Sequence, residues 1–282
     1  MQGSILLIWD YGHTTAVSIT NFTKHTNTEI QGKVDYIVSK HNTTAVITTD
    51  GKLYTTGANA WGQTGNGNNL TKIDYSQVLT GVDIAQVSIG NYNTLVASTD
   101  EKLYGAGENG LRGLTLPTGM VTTFTEANWN GALNPIKQIF SGMGVNYILT
   151  EDGKIFTAGN HANENSKGTT VGGTSGSFVQ INVGGKSFVK LAGYEYRKYG
   201  ITTDGEVWIF GDVIPYKADI PVSAGEKIAD VIAGNGFTLY ITDKGAVFGE
   251  GSNAYGLMGM WQGAKQQNES PTGIVRCPEL EK

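Results

Sequence analysis

Apolar residues in this chain come in short bursts. VDYIVS, TAVIT and KLYTTG are followed by IAQVSI, TLVAS and KLYGAG, and then by IKQIFS, NYILT and KIFTAG. Runs of this length, rich in Val, Ile, Thr and Tyr and bounded by Gly, Asp and Asn, predict β-strands separated by tight turns. The bursts repeat in a fixed order. TTDGKLYTTG is echoed by TDEKLYGAG, EDGKIFTAG, TDGEVWIFG and TDKGAVFGEG, which anchors five copies on Asp50, Asp100, Asp152, Asp204 and Asp243 at intervals of 50, 52, 52 and 39 residues. A phrase that recurs at such a period predicts stacked supersecondary units.

Offsets within the copies agree. Sixteen and thirteen residues before the first four anchors stand Val34 and Ile37, Ile84 and Val87, Ile136 and Ile139, and Phe188 and Leu191. The fifth copy, with Ile228 and Val231, is one residue short. A small residue follows in each copy (Ser39, Gly90, Gly142, Gly193, Gly234). Each unit therefore predicts an apolar strand, a second strand, a hairpin at the Asp, a third strand and a longer return. Asp50-Gly51, Asp152-Gly153 and Asp204-Gly205 predict two-residue hairpin turns with positive φ at both residues. The glycine closing each third strand (Gly57, Gly107, Gly159, Gly211, Gly251) predicts a point where backbones crowd or bend.

The fold class read from this pattern is all-β, a single β-propeller domain over 1–282 with about six four-stranded blades. The repeat units run over 13–57, 58–107, 108–159, 160–211 and 212–251. A closing blade joins 252–282 to 1–12, whose ILLIWDYG reads as a sixth third strand. Closure by the two chain ends would remove free sheet edges.

Composition narrows the function. Hydrophobic residues are 39%, charged residues 16% and glycines 40 in number, with a net charge of −5. Arginine occurs at Arg112, Arg197 and Arg276 alone, which argues against a nucleic-acid surface. No stretch approaches the ~20 apolar residues of a membrane helix, and the N-terminus lacks the basic region of a cleavable signal. The lone Cys277 allows no internal disulfide. These features favour a virion or cytoplasmic setting.

A more specific signal follows the third strands. Asn59-Ala-Trp61-Gly62-Gln63-Thr-Gly65 returns as Asn253-Ala-Tyr255-Gly256-Leu-Met-Gly259, with a degraded copy at Asn109-Gly-Leu-Arg-Gly113. Together with the Asp-Gly hairpin this resembles the repeat of the regulator of chromosome condensation family. The resemblance covers nearly the whole chain and implies a β-propeller, usually of seven blades, whereas the length here fits six. It also implies one candidate activity, because the eukaryotic founder exchanges guanine nucleotide on the small GTPase Ran and docks on chromatin. The loop residues on which exchange depends have no counterpart motif here.

Chemistry is sparse. The five aspartates are expected to serve turns and not to bind cations. His13, His25, His41 and His161 lack metal-ligand spacing, so no metal or cofactor is expected. NVGGKS at 182–187 has Gln180 where a phosphate loop needs its first glycine. No serine elbow or thiol–base pair is visible. Trp61 and Tyr255 are expected to pack between blades, whereas Trp129 and Trp261, in irregular loops, are the candidate partner-binding residues. The Gly-rich connection at 160–187 is the expected mobile loop. The reading is a non-enzymatic module presenting loops to a protein or glycan partner within a larger assembly, such as a phage decoration or tail component. A regulator of a small GTPase is the alternative.

Overall fold

The computed structural model describes residues 27–109, 114–116, 119–131, 133–160, 174–195, 197–211, 213–252 and 273–277. Every regular element among them is a β-strand, and the strands form five four-stranded antiparallel sheets. The first contains β1 (Val34–Lys40), β2 (Thr43–Thr48), β3 (Leu53–Gly57) and β4 (Lys72–Val78). The second contains β5 (Ile84–Ile89), β6 (Asn93–Ser98), β7 (Leu103–Glu108) and β8 (Met120–Glu126). The third contains β9 (Ile136–Ser141), β10 (Val145–Thr150), β11 (Ile155–Asn160) and β12 (Thr174–Ile181). The fourth contains β13 (Phe188–Tyr194), β14 (Arg197–Thr202), β15 (Val207–Gly211) and the short β16 (Tyr216–Lys217). The fifth contains β17 (Ile228–Gly234), β18 (Phe237–Thr242), β19 (Val247–Gly251) and β20 (Val275–Arg276). Strands pair in chain order throughout. The first three sheets lie in one compact unit and the last two in a second.

Sheet boundaries run one strand out of phase with the units drawn from the sequence. Each outer strand follows the glycine that ends its third strand. The C-terminal strand β20 pairs with β19 and completes the fifth sheet, so it does not found a sixth. ILLIWDYG lies outside the described residues.

The second strands read as near-continuous apolar or small residues because both of their faces are covered. All six residues of β6 and all six of β10 are buried. On β6, Val96 packs with Ala45 and Ile47 of the first sheet, whereas Leu95 and Ala97 pack with Ile136, Ile139 and Ile148 of the third. In the second unit Ile228, Val231 and Tyr240 of the fifth sheet pack with Tyr199 and Ile201 of the fourth.

The first strands resolve an oddity of the pattern. Residues three apart in a regular strand face opposite ways, yet Ile84 and Val87 are both buried in one cluster with the first sheet. All five pairings of first and second strands shift register near one end of the hairpin. All five fall at the same first-strand step: Val34/Tyr36, Ile84/Gln86, Ile136/Gln138, Phe188/Lys190 and Ile228/Asp230. One extra residue in the strand restores the apolar pair to a common face.

The Asp-Gly hairpins differ from the expected turn. Gly51, Gly153 and Gly205 have φ of 74°, 80° and 81°, but the preceding aspartates are not left-handed. Gly51 N–H donates to Thr48 O at 2.8 Å, and Thr48 N–H donates to Lys52 O at 2.9 Å. This is a three-residue loop ending in a left-handed glycine. The two-residue turn with both residues left-handed sits instead between β1 and β2, at His41 (φ 47°) and Asn42 (φ 64°). Measured from the left-handed residue, all five copies coincide. Val34, Ile84, Ile136, Phe188 and Ile228 each lie seventeen positions before Gly51, Glu101, Gly153, Gly205 and Gly245. The fifth copy is not short. Asp243 stands one place earlier than Asp50, and its N–H bonds to Lys227 O as Thr49 N–H bonds to Lys33 O.

Candidate interaction surface

The recurring residues at the Asp-Gly end are satisfied within their own turns. Thr48 Oγ1 donates to Asp50 Oδ1 at 2.6 Å and accepts from Lys52 N–H at 3.1 Å. Ser98 and Asp100 repeat the arrangement at 2.5 Å, and Thr202 donates to Asp204. Lysine two residues on pairs with the same carboxylate at 2.9 Å for Asp50, 3.5 Å for Asp100 and 2.6 Å for Asp152. The Thr48 hydroxyl, helped by Lys52, lowers the Asp50 carboxyl to about 2. Ser98 and Thr202 lower Asp100 and Asp204 in the same direction. Asp243 differs, its Oδ1 accepting from Lys227 N–H at 3.1 Å. In the second copy Glu101 replaces glycine at φ 65°, and its carboxylate accepts Ile136 N–H at 2.7 Å, a role the Gly51 carbonyl fills for Ile84.

At the opposite end each third strand crosses the turn between the first two. A Cβ built on Gly57 would lie 2.2 Å from Asn42 O, and equivalents on Gly107, Gly159 and Gly251 would lie 2.2–2.3 Å from Tyr92 O, Gly144 O and Gly236 O. These are the crowded points that the sequence predicts. The signature loop begins here. Asn59, fully buried, donates from Nδ2 to Asn66 Oδ1, Asn68 O and Leu70 O, and accepts Thr64 N–H at 2.9 Å. Asn109 does the same in the second sheet, accepting Leu114 N–H at 2.9 Å and donating to Leu116 O. Gly62 and Gly65 lie so close to Thr122 and the Phe124 ring of β8 that a Cβ would meet them at 3.1 and 2.3 Å. Gln63 Oε1 accepts Trp61 N–H at 3.0 Å.

This scaffolding holds an aromatic residue in the open. Trp61 is 44% exposed, with its ring 5.3 Å from that of Tyr92. Exposed Leu70 and Ile73 continue from the same loop. Met120, also exposed, starts β8 opposite Glu108, whose N–H bonds to Tyr92 O. Trp61 was expected to pack between sheets, and only part of its surface does so. Leu70, Ile73 and Met120 escape sequence reasoning because none falls at a repeating offset, and Tyr92 because its turn position carries no fixed residue type, being Asn42, Gly144 and Gly236 in other copies.

Trp129 corrects the expected contact role. Its indole stands edge-on to Phe156 at 5.3 Å and to Phe178 at 5.5 Å, against the cluster of Leu95, Leu103 and Ile148. It fills the gap between the second and third sheets. Trp261 and the second signature, Asn253, Tyr255, Gly256 and Gly259, lie outside the described residues, as do residues 161–173 of the 160–187 connection, whose remainder is no loop throughout but contains strand β12 (Thr174–Ile181).

The second unit holds a cleft of roughly 400 Å³ between the turn joining β13 to β14 and the turn joining β17 to β18. Tyr194, Glu195, Arg197, Phe237 and Glu250 contribute to its wall. Beneath it, Tyr199 Oη and Thr238 Oγ1 share a hydrogen bond of 2.7 Å, and Tyr240 Oη donates to Glu250 Oε1 at 2.7 Å. Burial raises the pKa of both phenols, so they stay neutral.

No family profile matches the chain. Among curated proteins, the X-linked retinitis pigmentosa GTPase regulator of Canis lupus familiaris is 34% identical over 122 residues, covering 42% of this chain and 12% of that protein. Protein RCC2 of Homo sapiens is 25% identical over 248 residues, covering 82% of this chain and 41% of RCC2. Among solved structures, human WBSCR16 superposes with a TM-score of 0.72 at 15% identity, covering 84% of this chain and 65% of that one. Prp20p of Saccharomyces cerevisiae, a protein studied for its binding to Gsp1p and histones, gives 0.67 at 15% identity, covering 87% and 63%. The chain thus spans a small part of the GTPase regulators it matches. In its repeats, sheet order and similar proteins, the chain resembles the regulator of chromosome condensation-like β-propellers.

Proposed function

We propose that this chain is a non-enzymatic protein-binding module that regulates a small GTPase through the end of the sheets bearing Trp61. The observation that carries this reading is the pairing of an exposed Trp61 with the buried Asn59–Gln63 network that fixes its loop. An aromatic residue immobilised before contact loses little entropy on binding and is a frequent interface hot spot. The similarity to a GTPase regulator supplies the partner class. The relatives give no support to a virion component or a glycan binder. Among the described residues no acid, base or nucleophile converges at this end, and any nucleotide release would come from tighter binding to the nucleotide-free form of the GTPase.

The test uses Ran-type and related small GTPases loaded with a fluorescent GDP analogue. Accelerated release on adding the chain, diminished at least tenfold by Trp61→Ala, is the expected result. Unchanged release together with no binding to any nucleotide state would overturn the GTPase assignment.

A further inference from the structure

The repeat serves as an internal control, because a register that one sheet buries can be followed to every other sheet. Within each unit, one sheet meets the next through the same registers. Ala45, Ile47 and Leu53 of the first sheet pack with Ile84 and Val87 of the second. Leu95, Ala97 and Leu103 of the second pack with Ile136 and Ile139 of the third. Tyr199, Ile201 and Val207 of the fourth pack with Ile228 and Val231 of the fifth. Each contact therefore sets second- and third-strand residues of one sheet on the bulged first-strand pair of its successor.

The first and fifth sheets each leave one half of this contact open. In the first, Ile37 pairs with Val46 at the register where Val87, Ile139, Leu191 and Val231 pair with Val96, Ile148, Gly200 and Tyr240. Those four first-strand residues are 4–5% exposed, whereas Ile37 is 42% exposed and Val34 is half-buried. Ile30 covers the part of this face formed by Val46, Tyr54 and Tyr75, and β1 stays bare. In the fifth sheet, Ile241 pairs with Val247 as Ile47, Ala97 and Ile201 pair with Leu53, Leu103 and Val207. All six of the latter are buried, but Ile241, Val247 and Leu239 are partly exposed. Ile232, opposite Leu239, is 48% exposed.

The two open faces are thus the two complementary halves of a contact that the chain already makes between its own sheets. We propose that copies of this chain assemble head to tail through them, the fifth sheet of one copy packing on the first sheet of a second. Ile232, Leu239, Ile241 and Val247 then cover Val34 and Ile37 of the neighbour. Terminal repeats need a polar outer face to stay apart, and these two faces are apolar. The contact is heterologous, so a copy engaged through one face still offers the other, and growth continues unless the rotation closes a ring. It uses no residue of the Trp61 loop and stands independently of the GTPase reading.

Sedimentation velocity of the full chain over a concentration series should show a sedimentation coefficient that rises with concentration. Ile37→Glu and Ile232→Glu, both at exposed positions in different units, should each weaken association at least tenfold while leaving the circular dichroism spectrum unchanged. An equimolar mixture of the two variants is the deciding arm. One keeps an intact fifth sheet and the other an intact first sheet, so the mixture should form a dimer and nothing larger. A chain that stays monomeric throughout, association that survives both substitutions, or a mixture that remains monomeric would overturn the proposal.

Discussion

Replacing Gly57 with alanine tests whether the closing glycines are dictated by backbone crossing. Two costs can be read from the structure. Alanine at φ 104° lies where an L-residue is disfavoured by about 1–2 kcal/mol. Its Cβ would also lie 2.2 Å from Asn42 O, so β3 must lift from the β1–β2 turn, an overpacking cost of about 1–3 kcal/mol. Lifting weakens the 2.7 Å bond from Ala58 N–H to Asn42 O, worth about 1 kcal/mol. The sum, roughly 3–6 kcal/mol, is a large share of the 5–15 kcal/mol typical of a domain. Gly81→Ala is the control, because Gly81 has φ 82° but nothing within 4 Å of a Cβ. It should cost only the backbone component, about 1–2 kcal/mol. Urea unfolding followed by circular dichroism would measure both. Equal midpoints for the two variants would refute the crossing argument.

Thr48→Val removes the hydroxyl that serves Asp50 and Lys52, and should cost about 1–2 kcal/mol by urea unfolding. The Asp50 carboxyl is lowered from 3.8 to about 2, so its stabilising contribution is present above pH 3.8 and is lost as pH falls through 2. Asp50→Asn should flatten that part of the acid-unfolding profile. Asn59→Ala leaves Thr64 N–H and the Asn68 and Leu70 carbonyls without their partner, and hydrogen exchange should show residues 60–70 losing protection before the strands do. Trp129→Ala should destabilise by about 3–5 kcal/mol through the cavity it opens, whereas Trp61→Ala should leave the unfolding midpoint within about 1 kcal/mol of the parent.

Much of the fold was legible because its letters answer local demands. Gly57 and Gly107 mark crossings, the Asp anchors mark hairpins, and TLVAS reads as a strand covered on both faces. What escaped involved registers that several residue types can satisfy. A bulge needs no special letter, so Ile84 and Val87 at spacing three gave no hint of a common face. Asp243 misled because threonine, glutamate and aspartate all serve at the position before the turn. The phase of the sheets was hidden because the outer strands share neither length nor phrase, from Lys72–Val78 and Thr174–Ile181 to the two-residue Tyr216–Lys217. The candidate surface was half visible. Trp61 carries the signature, but its exposure depends on how far the Asn59 loop carries it past β8. Trp129 looked like a loop aromatic because Phe156 and Phe178, which enclose it, are distant in sequence.

The most direct test is hydrogen exchange on the chain alone and with a nucleotide-free Ran-type GTPase. Slowed exchange at residues 58–71, 90–93 and 120–122, with the Asp50, Asp100 and Asp204 turns unchanged, is the result this account predicts. Protection centred on those Asp turns, or no complex in any nucleotide state, would contradict it.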